Sequence, residues 1–515
     1  MKYNTKALKW VLLITIPVAI ASVGCQKFLD RKPLQATLSD LNQGGVEGLA
    51  LGLYGAIRNP DEGGAAWGHI PYLAIHSFRD DDAMKGSSPS DGADWAVIYD
   101  QFQYSKDHWS TNIYYERKYK MIDHANILIH TVDSLKLTDP ASLVNLAEGK
   151  FFRALSYFDL VRTYGKVRKI DFPVTTNAQV NSLPKSDESV IYGLIDADLQ
   201  YAVAHLPLNW KNASGQNKYP GRLTRGAAQT LLAKTMMYRQ QWAGALGLLQ
   251  QVIASGEYGL AKYNLAYNEE GENGKESIFE IQAYTPPGAS GTAQSLYSFF
   301  ATSQGVRGSG DWDLGWGWNT PTPDLVAAYE AGDPRKDYTI LYTGQSDDPA
   351  HGGYGRTLPT GLPRAYWNKK AYVDPKRQQE TGDIHGAGFL NQRILRYADV
   401  LLMAAEAANE IGGAANQTLA VNYLEQVRVR ARDGNNSVLP FVAFVSQTQM
   451  RTAIKQERRV EFAMEGERFF DLVRWGDAVN VLGPLGYQAR NKYLPLPQPV
   501  IDQSGGALVQ NPDYP

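Results

Sequence analysis

Glu457, Glu461 and Glu465 recur every four residues, so a helix through them lines three carboxylates on one face. Two carboxylates are what glycoside hydrolysis needs, one as acid and one as base or nucleophile. Neighbours on successive turns of one helix do not readily flank opposite sides of a glycosidic bond, and Arg458, Arg459 and Arg468 stand close in sequence to pair with them. The spacing therefore favours a structural ion-pair network over catalysis. Arg396 and Glu406 read the same way, as charges paired internally or carried to a helix rim.

Aromatic loops are the stronger candidates for chemistry. Trp312, Trp316 and Trp318 lie in a glycine-spaced stretch ending at Asn319, where large rings have room to project. Sugar C–H faces stack on such rings while Asp, Asn and Arg take the hydroxyls, and affinity is built from many weak contacts. In the amino-terminal half, Trp67, Tyr72, Arg79, Asp81, Trp95 and Tyr104 offer a comparable set, and the two loops could converge on one shallow site. The alternative for each ring is a place in the core.

Other chemistries find little support. Eight histidines, among them His69, His76, His124 and His385, form no zinc-type motif. Asp80-Asp81-Asp82 and Asp347-Asp348 could help bind structural calcium, but neither follows an EF-hand pattern, and solvated acidic turns are the favoured reading. Gly305, Gly308 and Gly310 belong to no phosphate-binding loop, and no serine-hydrolase elbow occurs. No cofactor is expected. With 51 Lys+Arg against 53 Asp+Glu the chain lacks the basic excess of a nucleic-acid binder. One cysteine, Cys25, excludes a disulfide framework.

The elements that must position these groups are mostly helices. Apolar residues at helical spacing predict helices over 394–411, 416–432, 225–240, 242–255, 146–164 and 189–205, with further ones at 41–57, 112–135 and 448–464. The pair 225–240 and 242–255 resembles the tetratricopeptide pattern, with small residues Ala233 and Ala245 letting two helices approach closely. Divergent hairpins of this kind stack into a right-handed solenoid, interrupted by loop-rich insertions at about 60–110 and 256–390. Ser277–Ile281 alternates as a short strand. The predicted fold is mostly α, a tetratricopeptide-like helical-hairpin solenoid with long loop-rich insertions and a few short strands.

Lys2, Lys6 and Lys9, the apolar run Trp10–Ile20 and the small residues before Cys25 follow signal-peptide grammar. Ser22-Val23-Gly24-Cys25 resembles a bacterial lipobox, at which the cysteine is acylated and becomes the mature N-terminus. Residues 1–24 then form a lipoprotein signal peptide and 25–515 one body. That body divides into helical repeats to about 255, the insertion 256–390 and a C-terminal helical part 391–515.

Several segments in order carry a family resemblance. They include Cys25–Asp30, Leu53–Arg58, Phe151–Leu155 through Leu160–Gly165, Gly221–Thr224, Gly332–Arg335, Ile394–Val400 through Ala405–Ala407, Glu457–Phe462, Glu465–Trp475 and Leu494–Gln498. With these the chain resembles the SusD/RagB family of Bacteroidetes outer-membrane lipoproteins. The resemblance implies a lipid-anchored, surface-exposed protein that captures nutrients, often oligosaccharides, for a SusC-like TonB-dependent β-barrel transporter. Peptide cargo, as on the RagB side of the family, is an alternative; a surface glycosidase and a cargo-free scaffold are others.

Overall fold

The computed structural model describes residues 44–59, 61–285, 297–381, 385 and 387–514. The chain divides into two units, Met1–Gly48 and Leu49–Pro515, and apart from the first residues of helix α1 the second holds the elements described below. Cys25 and the segment 1–24 lie outside the described residues.

Helix α1 (Gly45–Ala56) and the short α2 (Ile70–His76) precede strand β1 (Ala83–Gly86). Five long helices follow: α3 (Trp109–Ser134), α4 (Pro140–Tyr164), α5 (Glu188–His205), α6 (Arg225–Tyr238) and α7 (Trp242–Ala254). The insertion supplies β2 (Ser277–Ile281), α8 (Phe299–Gln304), β3 (Trp318–Pro321), β4 (Ile340–Tyr342) and β5 (Tyr366–Asn368). Then come β6 (Gln392–Arg396), α9 (Tyr397–Ile411), α10 (Ala414–Ala431), α11 (Gln447–Glu461) and α12 (Arg468–Trp475).

Local chemistry sets the boundaries. Asp139 starts α4 by accepting the Ser142 amide at 3.0 Å, with Pro140 in the first turn where its missing N–H costs nothing. Gly165, at φ +72°, ends it, and a side chain there would meet the Tyr493 ring. This polar, proline-led first turn lacks the apolar period, which is why the periodic pattern starts only at Leu146 although the helix begins at Pro140. Similarly α3 begins at Trp109, ahead of Asn112, and the short α2 and α12 escape a periodicity reading.

The helices pack in a row, α3 on α4, α4 on α5, α5 on α6, α6 on α7, α7 on α9 and α9 on α10. Ala233 and Ala245 are fully buried in neighbouring α6 and α7, as their small size requires. α4 buries Phe151, Phe152, Leu155 and Phe158, and each large apolar side chain removed from water contributes about 1.5–3 kcal/mol. The row is consistent with tetratricopeptide-like stacking. Among the described residues the strands form three antiparallel pairs, β1–β3, β2–β6 and β4–β5.

One predicted helix is shorter than its apolar pattern. Residues 394–396 are extended, pairing Ser277 with Arg396 and Ile281 with Gln392, and α9 begins only at Tyr397. The reason lies in Arg396, whose extended backbone delivers its guanidinium to Glu461 and Glu465.

Candidate functional site

The carboxylate row on and just beyond α11 is buried in arginine. Arg335 Nη1 donates to Glu457 at 2.5 Å and Glu461 at 3.1 Å, Arg428 reaches Glu457 at 2.8 Å, and Arg396 reaches Glu461 at 2.6 Å. Arg430 also donates to Glu461. Glu465 accepts from Arg396 and Lys370. Burial would raise the Glu461 pKa, but Arg430, Arg396 and Arg335 hold it well below the usual carboxylate range. A carboxylate this strongly held in its ionised form does not donate a proton to a substrate, and Glu457 and Glu461 are 1% and 0% exposed. Glu406 likewise accepts two guanidinium bonds from Arg474.

Most of the aromatic candidates are structural. Trp67 lies under the Lys118 ammonium, Tyr72 stacks on His76 at 4.0 Å, and Trp95 meets the Trp318 ring at 5.4 Å. Trp318 lies parallel to Phe78, and Trp312 lies parallel to Tyr372 beneath the Arg356 guanidinium. Arg79 is 0% exposed, its guanidinium 3.9 Å from the Phe469 ring centroid. Asp81 pairs with Arg468 at 2.8 Å and with Arg459 at 2.9 Å. Asn319, buried at φ +58°, donates to Gln304 Oε1 and ties β3 to α8. Tyr104 is half-buried against Phe102 and Tyr99. The expectation that these side chains project to a ligand is therefore corrected for Trp67, Tyr72, Arg79, Asp81, Trp95, Trp312, Trp318 and Asn319, all buried. Glycine spacing lets backbones approach closely as readily as it frees rings, and here it folds the rings inward.

Trp316 differs, for it remains half-exposed. Its loop doubles back on the end of α8: Trp316 donates its amide to Thr302 O at 2.9 Å, and Gly317 donates to Gly305 O at 2.9 Å. The approach demands glycine, since a Cβ on Gly315 would lie 2.5 Å from Thr302 O and 2.7 Å from Gly305 Cα. The indole stacks on Phe299 at 5.5 Å and lies 5.4 Å from the His69 ring, while Phe299 meets Tyr297 at 5.1 Å. All four rings are half-buried, so they present a continuous aromatic surface.

Polar groups border it. Tyr297 Oη donates to His385 O at 2.7 Å, and His385 Nε2 and Asp313 Oδ1 lie 3.0 Å apart. His69 Nδ1 accepts the Ile70 amide at 2.8 Å, and burial pushes its pKa down to about 4, so the imidazole is neutral. A ring cluster with a neutral imidazole and an adjoining Asp–His pair can stack an apolar face and bond hydroxyls at its edge. His69, Tyr297, Phe299, Asp313 and His385 were not foreseen as ligand residues. The run Tyr297-Ser298-Phe299-Phe300 was the available signal.

Of the acidic stretches, Asp80, Asp81, Asp82 and Asp347 are buried and not solvated, whereas Asp348 reaches solvent. Asp80 accepts the amides of Asp82 and Ala83, and burial, then Asp82 and Asp81, raise its pKa well above the usual range. Asp347 is 1% exposed and accepts the amides of Tyr354, Gly355 and Arg356. Among the described residues one group of potential metal ligands lies within 4.8 Å, Asp337, Asp348 and His351, in which His351 Nδ1 and Asp348 Oδ2 are 2.5 Å apart.

The helix row and its decorated insertion match known proteins. Residues 275–492 match the SusD family, and residues 61–237 match a family described as starch-binding associating with outer membrane. Over both stretches the chain is similar to SusD/RagB proteins. It is 28% identical over 473 residues to SusD-like protein P2 of Formosa agariphila, covering 87% of this chain and 89% of that protein. Among solved structures it resembles a laminarin binding SusD-like protein, with TM-score 0.74, 28% identity and coverage of 91% and 99% of the two chains. Surface glycan-binding protein A from Bacteroides fluxus is similar at TM-score 0.73 and 25% identity, over 92% and 99%.

Proposed function

We propose that the protein is a non-catalytic glycan-binding lipoprotein of the outer membrane, tethered through acylated Cys25, that captures oligosaccharides and passes them to a SusC-like TonB-dependent transporter. The observation that carries the binding role is the half-exposed surface of His69, Tyr297, Phe299 and Trp316 beside the Asp313–His385 pair. Similarity to the family, the laminarin-binding relative and the outer-membrane association in the description of the matched family support it. The arginine-saturated carboxylates of α11 support a role without hydrolysis.

Affinity electrophoresis and calorimetry of the full mature protein against laminarin and a panel of other glycans test the reading. Retardation by at least one glycan, without release of products, is expected. Binding to peptides alone, or glycan cleavage by the purified protein, overturns it. Co-purification of a β-barrel transporter with the tagged protein tests the partner.

A further inference from the structure

The connection between α5 and α6 folds into a small arch. Lys211 and Asn217 form an antiparallel bridge, Lys218 donates its amide to Trp210 O at 2.9 Å, and Asn212 Oδ1 accepts the amides of Ser214 and Gln216. Two rings stand at its base, Trp210 and Tyr219, edge to face at 5.3 Å. The indole is locked in place, because Nε1 donates to Leu223 O at 2.8 Å and the Arg222 guanidinium lies 4.5 Å from the ring centroid. Arg222 is itself held by Glu148 at 2.7 Å and Asn145 at 2.8 Å.

Beside the arch is a cavity of about 240 Å³, lined by Trp210 and Tyr258, by Asn209, Asn217, Glu257 and Lys275, and by the start of β2. That volume corresponds to on the order of eight waters of bulk liquid, room for one sugar ring. None of the rings of the Trp316 surface lines it. Glu257 accepts from Lys211 Nζ at 2.5 Å and from Asn209 Nδ2 at 2.9 Å, which fixes its carboxylate at the rim. Tyr258 Oη and Thr224 Oγ1 lie 2.6 Å apart, orienting the second ring.

The chemistry is that of a hydroxyl-rich, uncharged ligand. A phosphate site gathers unpaired cations, whereas of the cations lining this cavity Lys211 is paired with Glu257 and Arg222 with Glu148, and the amides of Asn209 and Asn217 stand beside them. We propose that this cavity is a second saccharide site, taking one sugar unit at the pre-oriented Trp210. The proposal rests on the saccharide reading of the protein and gives a long glycan a second point of attachment. Two linked contacts raise the overall affinity for a polymer without improving either contact alone.

Saturation-transfer NMR with free glucose, galactose, mannose and N-acetylglucosamine tests it on the intact mature protein, with Trp210→Ala, Lys275→Ala and Trp316→Ala compared. Transfer to at least one monosaccharide is expected in the wild type and in Trp316→Ala; in the Trp316→Ala background it is lost when Trp210→Ala is added and reduced when Lys275→Ala is added. The apparent laminarin dissociation constant should rise about tenfold in Trp210→Ala. Absence of transfer in the wild type or in Trp316→Ala, or transfer in that background unchanged by Trp210→Ala, overturns the proposal. If Trp210→Ala fails to fold, the exposed Lys275 decides, and transfer in that background unchanged by Lys275→Ala then overturns it. Laminarin binding that is lost in Trp316→Ala and unaffected by Trp210→Ala removes the second site and leaves the first. Monosaccharide transfer without binding of any glycan through Trp316 does the reverse.

Discussion

Trp316 is held by its backbone and by two neighbouring rings, yet one part of its surface meets solvent. Removing the indole should therefore cost binding and little stability. Trp316→Ala is expected to weaken glycan affinity about tenfold or more, on the order of 1.4 kcal/mol, with a melting temperature close to wild type. A large drop in melting temperature would instead identify the ring as core. His69 carries a pH signature. Burial keeps it neutral down to about pH 4, while the unfolded chain takes up the proton near the ordinary value of 6.5. Between those values the unfolded state binds more protons, so the contribution of His69 to stability is present above pH 6.5 and is lost as pH falls towards 4. Denaturant titrations should show the gap between wild type and His69→Asn narrowing over that window; a constant gap would count against it. At this scale the sequence was a partial guide. It singled out Trp316 as a candidate, but residue type alone does not distinguish this half-exposed ring from Trp312 and Trp318, which are buried against partners such as Tyr372, Arg356 and Phe78 that lie far away in the chain.

Elements position these side chains through backbone contacts that admit no substitute. Gly315 crosses the end of α8 so closely that Gly315→Ala must push the 305–317 loop away. Calorimetry should find glycan affinity reduced as severely as in Trp316→Ala, with the helical circular dichroism signal retained. The α11 network makes the opposite kind of demand, on charge. Removing a carboxylate that several guanidiniums share leaves buried cations uncompensated, and Glu461→Ala is expected to cost about 3–5 kcal/mol in chemical denaturation. An effect below about 1 kcal/mol, the range of exposed pairs, would refute this account. Helices were readable because their apolar faces repeat: α5, α6, α7 and α10 begin and end within a few residues of the periodic pattern. The β2–β6 pairing was only half readable, since Ser277–Ile281 alternates while 394–396 shares its apolar pattern with the helix that follows.

For the whole molecule, the proposed lipid anchor makes its own prediction. Cys25→Ala should leave the body folded, because residue 25 precedes every described helix in the chain, but release it from membranes on fractionation. Continued detergent-dependent association would argue for another means of attachment.

The charges of the α11 region are sealed from water as acid–base partners, with Arg335, Arg458 and Glu461 each at 2% exposure or less. Dissolved electrolyte screens charges that solvent reaches and hardly touches those it cannot. This region's contribution to stability is thus expected to be indifferent to salinity: the stability lost in Glu461→Ala should be nearly the same in dilute buffer and in molar sodium chloride.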